Sequence, residues 1–422
     1  MNNLSIYKTQ KNKLMSIKTV RNFFLFATFT VIVFGVGFRF GESAPPVSSN
    51  FTTQSEVKNT RVPADKNVDF SLFWEVWREL ENKYVDQKAI DTVKMVNGAI
   101  SGMVSSLGDP YTVFLPPTEN KDAKDDLGGR FEGIGAQLGV TDKKIVVVAP
   151  LKGTPAEAAG LKPGDWIIKI DSKDTYNMTL PEAVTKIRGT RGTKVTLNIL
   201  QKNQDKPKDF TIIRDTIKVA SVEWELKSSG SKKVAILRLT RFGDNTNNEW
   251  DKAVGEIKSA LEKDSSIKGL VLDLRNNPGG YLSGAVNIGS EFLGEGVVVL
   301  QENAGGYRQT YNVNRTGRLI SGPLVVLINK GSASASEIVA GALQDRGRAK
   351  LVGDGSYGKG TIQDAEDLPG GAGLHVTIAK WLTPKGTWIH GKGLTPDVKV
   401  ENDDKKPDED LQQNKAIELL TK

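Results

Sequence analysis

The sequence predicts a multidomain α/β protein with an N-terminal helical region, a β-rich module, and a core of mostly parallel sheet covered by helices. Its 422 residues are enough for roughly three domains at about 150 residues each. Apolar residues at 38% and charged residues at 25% are ordinary proportions for soluble globular domains. In the second half, nearly continuous apolar strands alternate with helical segments, which is typical of a parallel sheet buried on both faces.

Residues 1–41 are predicted to be a basic tail followed by a membrane anchor or signal segment. Five basic and no acidic residues lie within residues 1–21, so most of the net charge of +7 is located at the N-terminal end of the chain. The uncharged run at 23–38 falls between a signal-peptide core and the roughly 20 residues of a full membrane span. The basic flank predicts that residues 1–21 stay in the cytoplasm. We expect an uncleaved single-pass anchor, with secretion after signal cleavage as the alternative.

Composition excludes several kinds of site. The sequence has no Cys, which excludes disulfides, thiolate metal ligands and a Cys nucleophile. With only two histidines, His375 and His390, a His-rich metal site is also excluded. Because the basic excess is confined to one end, we expect no nucleic-acid partner. Residues 42–66, rich in Ser, Thr and Pro, are predicted to be a flexible linker.

Residues 67–117 are predicted to be the helical N-terminal region. Aromatic and apolar side chains recur there at spacings of three and four, the period of one helix face. These residues are Phe70, Phe73, Trp74, Trp77 and Leu80. A second apolar stripe is ended by the Gly-Asp-Pro run at 108–110. The aromatic stripe is interpreted as core or as a surface for self-association.

Residues 118–205 are predicted to be a β-rich module. Short β-runs surround one helical segment, at 144–149, 165–170 and 194–200 for the strands and near 181–187 for the helix. A Gly-apolar-Gly-apolar loop leads into a strand and consists of Gly133, Ile134, Gly135 and Ala136. Glycine lets successive backbone N–H groups converge into an anion-binding concavity, and the terminal carboxylate of a peptide suits such a concavity.

Residues 206–400 are predicted to be an α/β core, and residues 401–422 a charged C-terminal segment. Two apolar strands alternate with three helical patterns, at 268–274 and 323–328 for the strands and at 247–262, 283–293 and 335–344 for the helices. Active sites of such folds lie at the carboxyl ends of the strands. Turns that permit close backbone approach follow both strands, at 276–280 and 329–337.

Ser334 is the candidate nucleophile in the second of these turns. Ser334 and Glu337 have the spacing of a capping box, and the simplest interpretation is that Ser334 only caps a helix. A serine at a helix N-terminus also has the positive end of the helix dipole and free N–H groups beside it. A developing oxyanion requires such donors. The N–H groups of Ala335 and Gly280 are the candidates for this role.

A serine nucleophile needs a base, and Lys359 is the stronger candidate. Glycines flank it on both sides, so the backbone is free to place it in a tight site. A lysine base must be neutral, so its pKa must fall from about 10.4 towards 7, a change of about 4 kcal/mol that burial is able to produce. Gln363 would orient the amine if the segment is curled, because a straight strand of four residues spans about 13 Å. His375 and His390 are the alternative bases.

Taken together, these motifs resemble those of the carboxyl-terminal processing peptidases, the tail-specific proteases of family S41 with a Ser/Lys dyad. The likeness covers about residues 68–400 and rests chiefly on the PDZ-like run at 154–171 and on the motifs at 276–280, 331–337 and 358–363. It implies that Ser334 is the nucleophile and that Lys359, 25 positions later, is the general base. It further implies that Gln363 orients the amine. The implied oxyanion donors are Ala335 and Gly280, with Gly279 as the alternative glycine.

The resemblance also implies a fold and a way of holding substrates. The core is expected to be crotonase-like or ClpP-like, and the β-rich module to be a PDZ domain that binds the C-terminal tails of exported proteins at residues 133–136. Arg188 matches an arginine associated with substrate sensing in the family. No metal or organic cofactor is implied. The expected location is a bacterial cell membrane with the catalytic body outside the cytoplasm. A homodimer supported by the helical region and the C-terminal segment is also expected.

Two other functions are consistent with the sequence. A membrane-tethered scaffold would use the PDZ-like module to bind peptide tails without turnover. A His-dependent serine hydrolase would use His375 as its base, and His375→Ala would then be as damaging as Ser334→Ala.

Overall fold

The computed structural model describes residues 68–201, 204–402 and 409–422. Across these residues the chain comprises two compact units that divide between Gly102 and Met103. The predicted basic tail, membrane segment and linker lie outside the described residues. No helix in the described ranges is both long and apolar enough to cross a bilayer.

Within its described residues, the first unit contains two helices joined by a 3₁₀ turn. Their bounds are Ser71–Lys83 for α1, Gln87–Ala89 for the turn and Thr92–Ser105 for α2, which continues into the second unit. In α1 the aromatic stripe forms a cluster, because the Phe73 ring lies 4.9 Å from that of Trp74 and 5.9 Å from that of Trp77. Trp77 is buried, and its indole N–H donates to Glu81 Oε1 at 2.7 Å. Other apolar side chains of α1 are exposed, namely Leu72, Val76 and Leu80.

Within its described residues, the second unit contains three β-sheets, a two-stranded ribbon and the helices that pack on them. Its helices are α3 Pro117–Leu127, α4 Pro155–Ala158, α5 Leu180–Ile187, α6 Thr246–Lys263, α7 Leu282–Phe292, α8 Ala335–Asp345 and α9 Leu411–Thr421, with a 3₁₀ turn at Pro369–Gly371. Its strands are β1 Val113–Leu115, β2 Arg130–Gly133, β3 Ala136–Thr141, β4 Lys144–Pro150, β5 Trp166–Ile170, β6 Lys173–Asp174, β7 Lys194–Leu200, β8 Lys208–Ile213, β9 Asp215–Lys218, β10 Val222–Ser229, β11 Lys232–Leu239, β12 Ile267–Asp273, β13 Val297–Asn303, β14 Arg308–Asn312, β15 Leu324–Ile328, β16 Lys350–Gly353, β17 Thr361–Asp367, β18 Gly373–Leu382 and β19 Val398–Lys399.

The core sheet has the order β10-β11-β12-β15-β16-β19. β10 and β11 pair antiparallel, and every following pair in this order is parallel. Helices α6, α7 and α8 cover one face around a buried cluster that includes Trp250, Phe292 and Val326. Helix α9 covers the other face, where Ala416 packs into a cluster with Val271. Strands buried on both faces account for their continuous apolar sequence. The predicted mostly parallel, helix-covered core is confirmed.

A second sheet of the core has the order β1-β18-β13-β14, with β17 also paired to β18. All of these pairs are antiparallel. A register shift between Ile362 and Gln363 marks a bulge in β17, so the segment after Lys359 is not a straight strand. β16 of the core sheet ends at Gly353 and β17 begins at Thr361. Lys359 therefore lies in the loop that joins the core sheet to the second sheet.

The β-rich module is a sheet with the order β3-β4-β5-β7-β8, and β6 pairs with β5. Its buried core includes Val147, Ile167 and Leu197, and helix α5 lies beside the edge strand β3. The predicted end of the module at residue 205 falls inside the β7–β8 hairpin. The polar run after β7 has the composition of a domain boundary, but the pairing of β8 with β7 extends the sheet beyond it.

The chain enters and leaves this module through a two-stranded ribbon, in which β2 pairs antiparallel with β9. Gly133 pairs with Asp215 at the module end of the ribbon. Beyond its other end, the Val219 N–H donates to the Gly129 carbonyl oxygen at 2.8 Å. Both connections between the module and the core therefore run side by side.

Candidate active site

Ser334 lies in the turn between β15 and α8, immediately before the helix begins. Its backbone has φ +53° and ψ −116°, a conformation that non-glycine residues rarely adopt and that costs about 1–3 kcal/mol. Ser334 is partly exposed, whereas its neighbours Ala333 and Ala335 are buried. The strained turn therefore keeps this one residue accessible at a helix N-terminus, where the dipole favours negative charge.

The turn after β12 approaches Ser334 closely through Gly279. A Cβ at Gly279 would lie 2.8 Å from Ser334 Cβ and 2.9 Å from Ala335 N, so a larger residue would displace the turn. The Gly279 N–H is already engaged, because it donates to Asn277 Oδ1 at 2.9 Å. The N–H groups of Gly280 and Ala335 have no acceptor among the described residues. Of the two glycines, Gly280 is therefore the one whose N–H is available to donate to an oxyanion.

Asn277 connects the two turns that bring these groups together. Its side chain is fully buried, and Nδ2 donates to the Leu239 carbonyl oxygen at 2.9 Å. Its own carbonyl oxygen accepts from the Ala333 N–H at 2.9 Å and from Ser336 Oγ at 2.8 Å. Buried polar groups paired in this way fix one arrangement of the backbone. The sequence analysis included Asn277 in a motif but gave it no role, since its partners lie on distant parts of the chain.

The backbone around Lys359 is held on both sides. The Lys359 N–H donates to Glu337 Oε2 at 3.0 Å, and the Lys359 carbonyl oxygen accepts from Trp381 Nε1 at 2.8 Å. The Gly360 carbonyl oxygen accepts from Trp388 Nε1 at 2.8 Å. A Cβ at Gly360 would lie 2.7 Å from the same indole nitrogen. The glycine after Lys359 is therefore required by the close approach of an aromatic side chain.

The half-buried Lys359 side chain places its amine in an aromatic environment. Its Nζ is 5.0 Å from the centroid of the Tyr111 ring. Burial lowers the pKa of Lys359 below its usual value, and the negative charges of Asp109 and Glu337 oppose this shift without reversing it. A lowered pKa increases the neutral fraction of the amine at a given pH, and only the neutral amine accepts a proton.

Gln363 belongs to a line of hydrogen bonds that reaches a carboxylate facing the candidate base. Its Nε2 donates to Thr361 Oγ1 at 2.9 Å and to Thr377 Oγ1 at 3.1 Å. The Thr377 N–H donates to Thr112 Oγ1 at 3.0 Å, and Thr112 Oγ1 donates to Asp109 Oδ2 at 2.7 Å. No hydrogen bond from Gln363 to the lysine amine is present among the described residues, so its orienting role stays a prediction. The sequence pattern does not indicate these hydrogen bonds, because Asp109 reads there only as part of a helix terminator.

Both histidines lie near the lysine. His390 Nδ1 accepts from the Gly360 N–H at 3.4 Å, and its ring stacks on Trp388 with 5.1 Å between centroids. His375 lies in β18, and burial, followed by the charge of the nearby lysine, lowers its pKa. Within the described part of the chain, neither histidine is hydrogen-bonded to Ser334, and no hydrogen bond joins Lys359 Nζ to Ser334 Oγ. The described residues also contain no group of three or more His, Cys, Asp or Glu side chains placed to hold a metal ion.

The candidate carboxylate-binding loop joins the ribbon strand β2 to the edge strand β3. Gly133 is the last residue of β2, and Ala136 is the first of β3. Between them, Ile134 is buried and Gly135 has φ +78°. Thr154 Oγ1 donates to the Gly135 carbonyl oxygen at 3.0 Å, which anchors the loop to the module. An edge strand such as β3 presents unpaired backbone groups to which a peptide strand can be added.

We expect Gly135→Ala to destabilise the module more than Gly153→Ala. Both glycines have a positive φ, +78° and +74°, so alanine at either position costs about 1–2 kcal/mol of backbone strain. At Gly135 the added Cβ would also lie 2.5 Å from Thr154 Cβ, whereas at Gly153 it meets nothing within 4 Å. Overpacking adds about 1–3 kcal/mol at Gly135 alone. Urea unfolding of both variants measures this difference, and equal losses would contradict the close approach at Thr154.

Arg188 follows α5 and contacts the ribbon. Its guanidinium carbon lies 4.8 Å from the centroid of the Phe131 ring. Its charge also acts on Asp126, whose pKa is raised by burial against the influence of nearby arginines. The buried Arg214 fixes the end of α5 by donating from Nε to the Ile187 carbonyl oxygen at 2.7 Å. The sequence analysis missed Arg214, because nothing local distinguishes it from a solvated arginine.

Comparison with family models divides the chain into three matched regions. The N-terminal domain of the activating protease CtpB matches residues 33–118, and the PDZ domain matches residues 121–200. Peptidase family S41 matches residues 233–400. The Ser334 and glycine turns and the Lys359 loop all lie within this last match, whereas the loop at 133–136 and Arg188 lie within the PDZ match.

Similarity to individual proteins extends over most of the chain. The carboxy-terminal processing protease CtpA of Bacillus subtilis is 37% identical over 351 residues, which cover 83% of this chain and 73% of that protein. The carboxy-terminal-processing protease of Bartonella bacilliformis is 37% identical over 376 residues, covering 88% of this chain and 82% of that protein. Among solved structures, the photosystem II D1 C-terminal processing protease matches with a TM-score of 0.50 and 28% identity, covering 83% of this chain and 97% of its own.

Proposed function

Because the chain belongs to the carboxy-terminal processing proteases of peptidase family S41, we propose that Ser334 is its nucleophile and Lys359 its general base. The chain is a serine-type peptidase with a PDZ domain, and its substrates are peptides or proteins. The observation that carries the dyad is the environment of the Lys359 amine, which is half-buried, lies 5.0 Å from the centroid of the Tyr111 ring and has a lowered pKa. A solvated loop lysine would have neither property.

The proposed reaction is acyl transfer to serine. Neutral Lys359 accepts the Ser334 hydroxyl proton as Oγ attacks the scissile carbonyl carbon. The protonated amine then gives this proton to the departing amine of the substrate, which leaves an ester on Ser334. Water attacks the ester, and Lys359 again accepts a proton and returns it to Ser334. Gln363 orients the lysine indirectly, through the threonines that link it to Asp109.

The N–H groups of Gly280 and Ala335 stabilise the oxyanion formed during attack. Both are without acceptors among the described residues, and both lie beside the strained turn at the N-terminus of α8. Preorganised donors of this kind contribute about 10²- to 10³-fold each to the rate. The helix dipole adds to the same effect, because negative charge is favoured at this end of the helix.

The PDZ domain binds the free C-terminus of the substrate. The tail pairs with the edge strand β3 and places its carboxylate at Gly133, Ile134, Gly135 and Ala136. Arg188, which contacts the ribbon at Phe131, responds to occupancy of the groove. The peptide chain upstream of the bound tail then reaches Ser334.

We further infer the location and assembly of the protein from its N-terminal regions. The body acts outside the cytoplasm of a bacterial cell, on the C-terminal tails of exported proteins. It is held at the membrane through residues 23–38, with secretion after signal cleavage as the alternative. The exposed apolar side chains of α1, including Leu72, Val76 and Leu80, support a homodimer.

Covalent labelling of the full-length protein tests the dyad. A fluorophosphonate probe is expected to modify one serine, and peptide mass spectrometry should place the added mass on Ser334. The labelling rate should rise with pH, because the neutral amine of Lys359 activates the hydroxyl. His375→Ala should still be labelled, whereas Ser334→Ala should not. Labelling lost with His375→Ala would favour a His-dependent hydrolase, and a tail-binding protein that is never labelled would favour a non-catalytic scaffold.

A further inference from the structure

Glu337 is a buried carboxylate in the first turn of α8, and the sequence explains it only as half of a helix cap. The capping bond made by Glu337 is present in the structure, because the Ser334 N–H donates to Glu337 Oε2 at 2.8 Å. The side chain is completely buried, with 0% of its surface exposed. A single capping bond does not account for burying a charged group so deeply, since removing a carboxylate from water costs several kcal/mol unless it is compensated.

The remaining partners of Glu337 lie on the loop that carries Lys359. Oε2, which accepts from Ser334, also accepts from the Lys359 N–H at 3.0 Å. Oε1 accepts from the Gly358 N–H at 2.7 Å and from Ser356 Oγ at 2.5 Å. An ionised carboxylate has about four acceptor sites, and four donors fill them. One oxygen atom therefore joins the backbone of residue 334 to the backbone of residue 359.

We propose that Glu337 is a positioning residue that sets the approach of the Lys359 loop to Ser334, an inference that rests on the proposed Ser/Lys function. Ser334 follows β15 and Lys359 follows β16, two paired strands of the core sheet, and the Tyr357 N–H donates to the Ser332 carbonyl oxygen at 2.9 Å. The Glu337 carboxylate adds to this link by binding both backbones at the reacting residues themselves. A displacement of about 1 Å between reacting groups costs about 10²-fold in rate.

The charge of Glu337 distinguishes positioning from tuning of the base. Its negative charge raises the pKa of Lys359, which works against a neutral amine. If the residue served to adjust the lysine pKa, the sign of its effect would be wrong. Its hydrogen bonds explain its presence better, because they are directed to the backbone and not to the amine.

Other titratable groups lie around Glu337 and Lys359 and act on the same pH profile. Lys359 is influenced by Asp109, Glu337 and the ring of Tyr111, and His375 lies nearby. Burial raises the pKa of Glu337 itself, while its four hydrogen-bond donors lower it. Protonation of Glu337 at low pH would remove one acceptor site from a set of four donors. The bond between the two loops is therefore expected to weaken on the acid side, where Lys359 is already protonated.

Glu337→Gln is the variant that tests the proposal. The amide oxygen still accepts from Ser334 and Lys359, but the amide nitrogen faces the Gly358 N–H, and two donors repel each other. We expect kcat for a tailed peptide to fall about 10- to 100-fold, with KM within about threefold because the PDZ groove is unchanged. The fluorophosphonate labelling rate should fall by the same factor as kcat. With the charge removed, the rising limb of the pH profile should move to lower pH even though the maximum rate falls.

Glu291→Gln is the matched control. Glu291 is also a completely buried glutamate of the core, and it accepts from Trp250 Nε1 at 3.1 Å and from Arg315 Nη2 at 2.8 Å. Its loss should lower stability while leaving the kcat of the folded fraction and the pH limb unchanged. A general loss of stability therefore separates from a positioning effect, because only the latter lowers the kcat of the folded enzyme.

Two outcomes would overturn the proposal. The first is a folded Glu337→Gln enzyme with the kcat and pH profile of the natural protein. The second is a loss of kcat in the folded Glu337→Gln enzyme that folded Glu291→Gln reproduces. Failure of the underlying dyad is distinguishable from both, because it would appear as turnover or labelling that survives Ser334→Ala.

Discussion

Ser334→Ala is expected to abolish peptide-bond hydrolysis, with a fall in kcat of about 10⁴-fold or more. The hydroxyl is the only group removed, since alanine keeps the Cβ and the backbone at φ +53° carries the same strain. The free energy of unfolding should therefore change little. Hydrolysis of a synthetic peptide that carries a free C-terminal tail measures the loss, and fluorescence anisotropy of the same tail measures binding to the PDZ domain.

Measuring the affinity of Ser334→Ala for the tail shows whether the substitution affects catalysis alone. Tail affinity should be unchanged in Ser334→Ala, because the groove beside β3 belongs to a different sheet from the serine turn. An enzyme that keeps its rate after this substitution would show that another residue is the nucleophile. A variant that loses tail binding as well as turnover would indicate a disturbed fold, and urea unfolding would detect that directly.

Lys359→Met is expected to remove the pH-dependent part of the reaction along with about 10²- to 10⁴-fold of the rate. Methionine preserves an apolar side chain in the buried environment beside Tyr111, so the fold should be kept. In the natural protein the neutral fraction of Lys359 grows as pH rises, and burial lowers the pKa at which this happens. kcat/KM should therefore rise with pH through a titration well below about 10.4, the usual lysine value. In Lys359→Met this rising limb should be absent.

Two further substitutions test whether the titration in the pH profile belongs to the Lys359 amine. Asp109→Asn removes a negative charge that raises the pKa of Lys359, so the limb should move to lower pH. Lys380→Met is the matched control, because Lys380 is a lysine of β18 that lies over the Trp388 ring at 5.5 Å and pairs with Glu302. Its loss should leave the limb in place. A limb that persists without Lys359 would assign the base to another group.

The same lowered pKa has a consequence for stability. Between the pKa of folded Lys359 and the higher pKa of the unfolded chain, the unfolded state binds more protons. The free energy of unfolding should therefore rise with pH in this window and reach its full value above the unfolded pKa. The cost of burying the amine is greatest below the folded pKa, and Lys359→Met should remove this dependence.

Much of the site could be predicted because its signals are local. A serine one residue before a helix and a lysine between two glycines are readable from short windows of sequence, and the strand ends place them in the same part of the core. The structure gives the glycines a physical reason, since a Cβ at Gly360 would meet Trp388 Nε1 at 2.7 Å. The mostly parallel core was predictable for the same reason, because strands buried on both faces are continuous in apolar residues.

The remainder depends on contacts between distant residues, which no local pattern encodes. Glu337 was predicted only as a cap, yet three of its four partners lie on the Lys359 loop. The line from Gln363 through Thr377 and Thr112 to Asp109 spans three separate segments of the chain. The predicted module boundary at residue 205 lies inside the β7–β8 hairpin for a similar reason. Only the pairing of β8 with β7 shows where the sheet ends.

The ribbon of β2 and β9 determines how a load on the PDZ domain is transmitted. Because its strands are hydrogen-bonded to each other, we expect them to move together when the domain is loaded. Only Ile134 and Gly135 separate the end of β2 from the start of β3. A polypeptide drawn along β3 is therefore expected to exert its force on the ribbon almost directly, through a connection of two residues.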